Sequence, residues 1–124
     1  MASSKKILVI DDDQSIVAYL EAKLAEHYHL VSTTDPHKAL KLAKTERPDL
    51  VLCDIDMPGM GGGDVVAALS EDPETAGIPV LYLTALVSPE EARDMGGNVG
   101  GRPGVAKRAP IAELRQRIDE LIAG

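Results

Sequence analysis

The stretch Leu50-Val51-Leu52-Cys53-Asp54-Ile55-Asp56-Met57-Pro58-Gly59 decides how the rest of the chain is read. Four apolar residues lead straight into an acid and then into a Pro-Gly turn. An apolar run this short, closed by turn residues, is the pattern of a strand buried on both faces, as in a parallel sheet. Asp54 then stands where the strand leaves the core for water, at the carboxyl end where open α/β sheets bind ligands. A second apolar run ends the same way: Ile7-Leu8-Val9-Ile10 meets Asp11-Asp12-Asp13.

Working outward, helical and strand patterns alternate. Ile16, Val17, Leu20 and Leu24 mark one face of a helix from about Gln14 to Glu26, with Asp13 as its N-cap, and Tyr28 to Thr33 reads as a more polar strand near an edge. Asp35-Pro36 is a helix start, an N-cap followed by proline at the first position. A short helix carrying Val65, Val66 and Leu69 follows the turn after Asp54, and Pro79 to Thr84 is a fourth strand. Ser88-Pro89-Glu90-Glu91 is a capping box. Five of the nine residues in 96–104 are Gly, which predicts a loop. Val105-Ala106-Lys107 is at most a three-residue strand. Pro110 opens a last helix with the stripe Ile111, Leu114, Ile118, Leu121 and Ile122. Such alternation predicts βαβ units and a parallel sheet. Five units fit a flavodoxin-like doubly wound (βα)5 fold with strand order 2-1-3-4-5.

Composition narrows the function. With 44% hydrophobic and 27% charged residues, the 124-residue chain reads as one globular domain over residues 5–124. Three Tyr, no Phe and no Trp leave the core to aliphatic side chains. A net charge of −7 argues against nucleic acid and anionic membrane as direct partners. The apolar runs are too short to span a bilayer, and Lys5-Lys6 opens no signal peptide. The single Cys53 reads as a reduced, structural residue of a cytoplasmic protein.

In the predicted order, the crevice between strands one and three is flanked by Asp11-Asp12 and by Asp54, while Thr84 and Lys107 end the next two strands. Three carboxylates sharing one crevice repel, by about 4 kcal/mol for a pair about 4 Å apart at an effective dielectric near 20. Lys107 offsets part of that. A hard divalent cation fits the remainder, and Mg²⁺ takes one or two carboxylates together with waters and phosphate oxygens.

Taken together, Ile7-Leu8-Val9-Ile10-Asp11-Asp12-Asp13, Asp54-Ile55-Asp56-Met57-Pro58-Gly59-Met60, Leu83-Thr84-Ala85 and Lys107 resemble the receiver domain of bacterial two-component response regulators, chemotaxis-regulator-like in extent. The resemblance implies that Asp54 accepts a phosphoryl group from a phosphohistidine on a sensor histidine kinase or phosphotransfer protein. It implies that Asp12, Asp54 and the backbone carbonyl of Asp56 bind Mg²⁺ directly and that Asp11 acts mainly through water. Thr84 would hydrogen-bond the phosphoryl group and Lys107 would pair with it. The chemistry is then self-modification, with phosphorylation and dephosphorylation of the chain itself rather than turnover of a released substrate, and the output is a change in binding to a downstream protein.

Three positions depart from the family. Arg108 follows Lys107 where proline is usual, which argues against a cis peptide there. Gly104 stands at the position of the usual switch aromatic, and Gly61 replaces a common acid. Without that ring, the signal is expected to act through ordering of 96–104 when Thr84 and Lys107 close on the phosphoryl group. Two rival readings share these residues. Asp54-Ile55-Asp56 mimics the nucleophile motif of haloacid-dehalogenase-like phosphatases, although the order of the acidic motifs is reversed. An interaction-only pseudo-receiver would explain Gly104 and Arg108.

Overall fold

Strands of unbroken Val, Ile and Leu have no polar face to turn to water, so both faces of the sheet must be covered. The computed structural model, which describes residues 5–55, 57–85, 88–94, 98–99 and 102–123, meets that requirement with helices on each side. In chain order the elements are β1 (Lys6–Ile10), α1 (Gln14–Leu24), β2 (His29–Thr33), a 3-10 turn (Pro36–Lys38) running into α2 (Ala39–Glu46), and β3 (Leu50–Asp54). They continue with α3 (Gly62–Glu71), β4 (Val80–Thr84), α4 (Pro89–Asp94), β5 (Asn98–Val99), β6 (Arg102–Ala106) and α5 (Ile111–Ala123). The sheet order is β2-β1-β3-β4-β6-β5. The five predicted parallel strands are β1 to β4 and β6, in the expected order.

Period-two alternation splits the strand residues between two cores. Ile7, Val9, Leu50, Leu52, Leu81, Leu83 and Val105 face α1 and α5, packing on Val17, Leu20, Leu24, Leu114 and Ile118. Leu8, Ile10, Val51, Cys53, Val80 and Tyr82 face α2 and α3, packing on Ala39, Ala43, Val65, Val66 and Leu69. No aromatic ring larger than tyrosine contributes, as the composition requires.

The capping signals act as read. Asp13 accepts from the Ser15 N–H at 2.9 Å and starts α1. Ser88 and Glu91 exchange hydrogen bonds at 3.1 Å each. Asp35 accepts from the His37 N–H at 3.0 Å, but the first turn it caps is 3-10 rather than α.

The stretch 96–104 departs from the sequence expectation. Gly96, Gly97, Gly100 and Gly101 lie outside the described residues, and so does the ordering expected of them. The remainder is strand rather than loop. β6 starts at Arg102, and β5 pairs with it antiparallel, Asn98 with Pro103 and Val99 with Arg102. Non-local pairing of Gly104 with Tyr82 on β4 overrides the weak strand propensity of glycine. Pro103 is tolerated because β6 lies near the edge of the sheet. Lys107 sits in the turn after β6, and no cis peptide occurs among the described residues. Nor is any described helix long and apolar enough to cross a membrane.

One tie fastens α5 to the segment between α1 and β2. The Tyr28 hydroxyl donates to Asp119 Oδ1 at 2.6 Å. Burial and, after it, the Asp119 carboxylate push the phenol up to about 12, against the opposing pull of Arg115. A phenol whose folded pKa is raised stabilises the fold fully below its ordinary value of about 10 and loses that contribution as pH climbs towards the folded value. Stability measured by urea unfolding should therefore fall between about pH 10 and pH 12. Tyr28→Phe should remove that tyrosine-linked part of the fall and cost about 1 kcal/mol at neutral pH.

Candidate functional site

Ile10 and Cys53 are register partners on neighbouring parallel strands, so the residues that follow them, Asp11 and Asp54, emerge side by side at one edge of the sheet. Both are carboxylates held out of water: Asp11 is 0% exposed and Asp54 3%. Asp11 is satisfied on three sides. Its N–H donates to the Thr33 carbonyl at 3.2 Å, and its Oδ1 accepts from the Asp13 N–H at 2.9 Å. Its Oδ2 lies 2.8 Å from the Lys107 ammonium and finds no other hydrogen-bond donor among the described residues.

Lys107 reaches the crevice because its backbone is pinned. Its N–H donates to the Thr84 carbonyl at 2.8 Å, which ties the turn after β6 to the end of β4. From there the ammonium spans Asp11 and Asp54, lying 3.4 Å from Asp54 Oδ1. Burial pulls the lysine down, but its pairing with Asp11 and then Asp54 outweighs burial and holds its pKa above the ordinary value. Thr84, 1% exposed, closes the same edge.

The acidic triplet divides its work. Asp11 is the buried half of an ion pair, Asp13 is the helix cap, and Asp12 is exposed at the mouth of the crevice. Carboxylate oxygens of Asp11, Asp12 and Asp54 all lie within 4.8 Å of one another. Among the described residues, three carboxylates outweigh the one ammonium that bridges two of them. The donors are all hard oxygens, so the residues present fit Mg²⁺ rather than a thiophilic metal. Cys53, adjacent in sequence, is no alternative ligand at neutral pH: burial first, and then Asp54 and Asp11, push its thiol up to about 12.

Asp11, Asp12, Asp54, Thr84 and Lys107 thus converge at one edge, as the topology required, while Asp56, expected to offer its backbone carbonyl, lies outside the described residues. Two features were not anticipated from sequence. One is that Lys107 rests mainly on Asp11. The other is how the chain leaves Asp54: the Ile55 N–H donates to the Leu83 carbonyl at 3.1 Å, and the Gly62 N–H donates back to the Ile55 carbonyl at 2.8 Å. Between them the backbone turns at Gly59, whose φ of 80° is open to glycine but strained for other residues.

Comparison with known proteins gives a consistent result. The family model described as response regulator receiver domain matches residues 7–119. Protein PilH of Pseudomonas aeruginosa is 33% identical over 120 residues, which is 96% of this chain and 98% of PilH. The response regulator PleD of Caulobacter vibrioides is 48% identical over 84 residues, 67% of this chain but 18% of PleD, so the chain spans under a fifth of that relative's length. The solved structure of the chemotaxis protein CheY4 of Vibrio cholerae superposes with a TM-score of 0.80 at 28% identity, covering 96% of this chain and 99% of that one.

The site's charge balance makes opposite predictions for two of its residues. Lys107→Ala would leave the fully buried Asp11 without its cation, and breaking a buried pair costs about 3 kcal/mol or more. Asp12→Ala removes an exposed repulsive charge and should raise stability slightly. Urea unfolding in the presence of EDTA should show these opposite signs. A Lys107→Ala protein as stable as the parent would contradict the ion-pair assignment.

Proposed function

We propose, from the premise that the chain belongs to the response regulator receiver domain family, that Asp54 is its phosphoacceptor in a two-component relay. The observation that carries this reading is the setting of Asp54: a nearly buried carboxylate at a strand end, 3.4 Å from a lysine ammonium and within 4.8 Å of two further carboxylates. The donor is a phosphohistidine on a sensor histidine kinase or phosphotransfer protein. An Asp54 carboxylate oxygen attacks phosphorus as the P–N bond breaks, the electron pair returns to the imidazole nitrogen, which takes up a proton, and an acyl phosphate forms on Asp54.

Positioning and charge compensation do the catalysis in such a transfer. Lys107 shifts its partnership from Asp11 towards the oxygens gained by Asp54, and its backbone tether to Thr84 keeps the ammonium over the acceptor throughout. Thr84 offers its hydroxyl to the same group. Asp12 and Asp54 would hold Mg²⁺, with the backbone carbonyl of Asp56 as a further ligand and Asp11 acting through water. When bound there, the ion would supply positive charge to offset the negative charge on the phosphoryl oxygens. Water hydrolyses the acyl phosphate later, so the chain modifies itself and releases no product other than phosphate. The output is altered binding to a protein partner, since a net charge of −7 disfavours direct contact with nucleic acid.

Acetyl phosphate with Mg²⁺ should add the mass of one phosphoryl group, and Asp54→Asn or EDTA should abolish the gain. Mg²⁺ alone at about 100 times its Kd should stabilise the fold by about 2.7 kcal/mol, several degrees in Tm for a domain of this size, and Asp12→Ala should remove that shift. A full mass gain in Asp54→Asn, or none in the parent with any phosphodonor or kinase, would refute the assignment.

A further inference from the structure

We propose that Gly62 is a positioning residue for the phosphoacceptor, required because any side chain there would displace the backbone of Asp54 itself. The inference rests on the reading of Asp54 above and concerns what holds that residue in place. Gly62 is the first residue of α3. A Cβ built on it would lie 2.7 Å from the Asp54 carbonyl oxygen, 2.9 Å from Ile55 Cα and 3.3 Å from Tyr82 Cε1. The two closest atoms are backbone, so neither can rotate aside. Its φ is not in the left-handed region, so the demand on Gly62 is proximity, not conformation.

The neighbouring glycines differ. A Cβ at Gly61 would meet only the Ile55 carbonyl oxygen at 3.4 Å, and one at Gly63 would meet nothing within 4 Å. Among these three glycines, the start of α3 touches the acceptor only through Gly62.

The contact closes a clamp around Ile55, the residue that follows the acceptor. On one side the Ile55 N–H donates to Leu83 on β4. On the other, the Gly62 N–H donates to the Ile55 carbonyl at 2.8 Å, which brings α3 against the Asp54 carbonyl. The Tyr82 ring edge borders the third side. The Asp54 carboxylate is carried by this clamped backbone, and its distances to Lys107 and to the Asp12 carboxylate follow from where the clamp holds it. A methyl group at position 62 would push the acceptor backbone, and displacement of a reacting group by about 1 Å costs on the order of 10²-fold in rate.

A merely structural glycine would change stability and nothing else, and that distinction sets the experiment. Gly62→Ala, Gly63→Ala and Val66→Ala are compared in the full chain for Tm, for Mg²⁺ affinity by titration calorimetry, and for the rate of phosphorylation by acetyl phosphate at temperatures well below each Tm. Val66 is buried on the same helix, and its truncation serves as a loss of stability that removes core volume rather than crowding the Asp54 backbone. Gly62→Ala should lower both Mg²⁺ affinity and rate by about tenfold or more. Gly63→Ala should match the parent in both, and Val66→Ala should lose stability while staying within about twofold of the parent. Parent-like affinity and rate in Gly62→Ala, or equal losses in Val66→Ala, would overturn the proposal. If Gly62→Ala does not fold, amide hydrogen exchange in the parent decides. Protection of the Gly62 amide comparable to that of the β3 amides supports the clamp, and exchange as fast as at exposed amides overturns it. A parent chain that neither binds Mg²⁺ nor gains a phosphoryl group would instead overturn the phosphoacceptor reading itself.

Discussion

The Lys107 ammonium, held 2.8 Å from Asp11 and 3.4 Å from Asp54, is the contact on which the working edge of this sheet depends. Two carboxylates withdrawn from water beside each other are not tolerable without a cation, because desolvation and mutual repulsion add. Lys107 resolves that conflict from the last parallel strand of the sheet, so β1, β3 and β6 are joined by charge as well as through β4. The pinned backbone matters as much as the charge. A lysine free to move would leave Asp11 with nothing at its buried Oδ2, and the hydrogen bond from its N–H to the Thr84 carbonyl prevents that.

Topology makes the convergence possible. Because β2 lies outside β1, the first and third strands are neighbours, and the connections leaving them diverge to opposite faces of the sheet. The crevice opens where they part. Every group at the site leaves a strand at its carboxyl end, so the apolar strands fix the positions of the polar residues without contributing any chemistry. The cores behind it, built from Val, Ile, Leu and Ala, give that edge a rigid base.

Much of this was legible in the sequence because it was locally written. Unbroken apolar runs ending in acids announced β1 and β3, the triplet Asp11-Asp12-Asp13 announced the start of α1, and Ser88 to Glu91 announced that of α4. What was not legible depends on contacts between residues distant in the chain. Glycines at 96–104 signal a loop by propensity, and only pairing across to Tyr82 and back to β5 makes the end of that stretch a strand. The preference of Lys107 for Asp11 over Asp54 turns on half an ångström or so of placement, which no motif encodes. Gly62 reads from sequence as an ordinary loop glycine between Gly61 and Gly63, and only the return of the chain against Asp54 separates it from them.

The resting charge pattern bears on how phosphorylation would act if Asp54 is the acceptor, as proposed. Among the described residues, three carboxylates outweigh one lysine at the site, so it is poised to attract cations before any transfer. Converting the Asp54 carboxylate to an acyl phosphate replaces one negative charge with about 1.5 to 2, which deepens the deficit at the spot nearest Lys107. The lysine must then choose between Asp11, buried and fixed, and a group with more charge and more acceptor oxygens. Each step it takes towards the latter strips Asp11 of its partner. Since the lysine N–H is bonded to the Thr84 carbonyl, that choice would pull on the junction of β4 and β6.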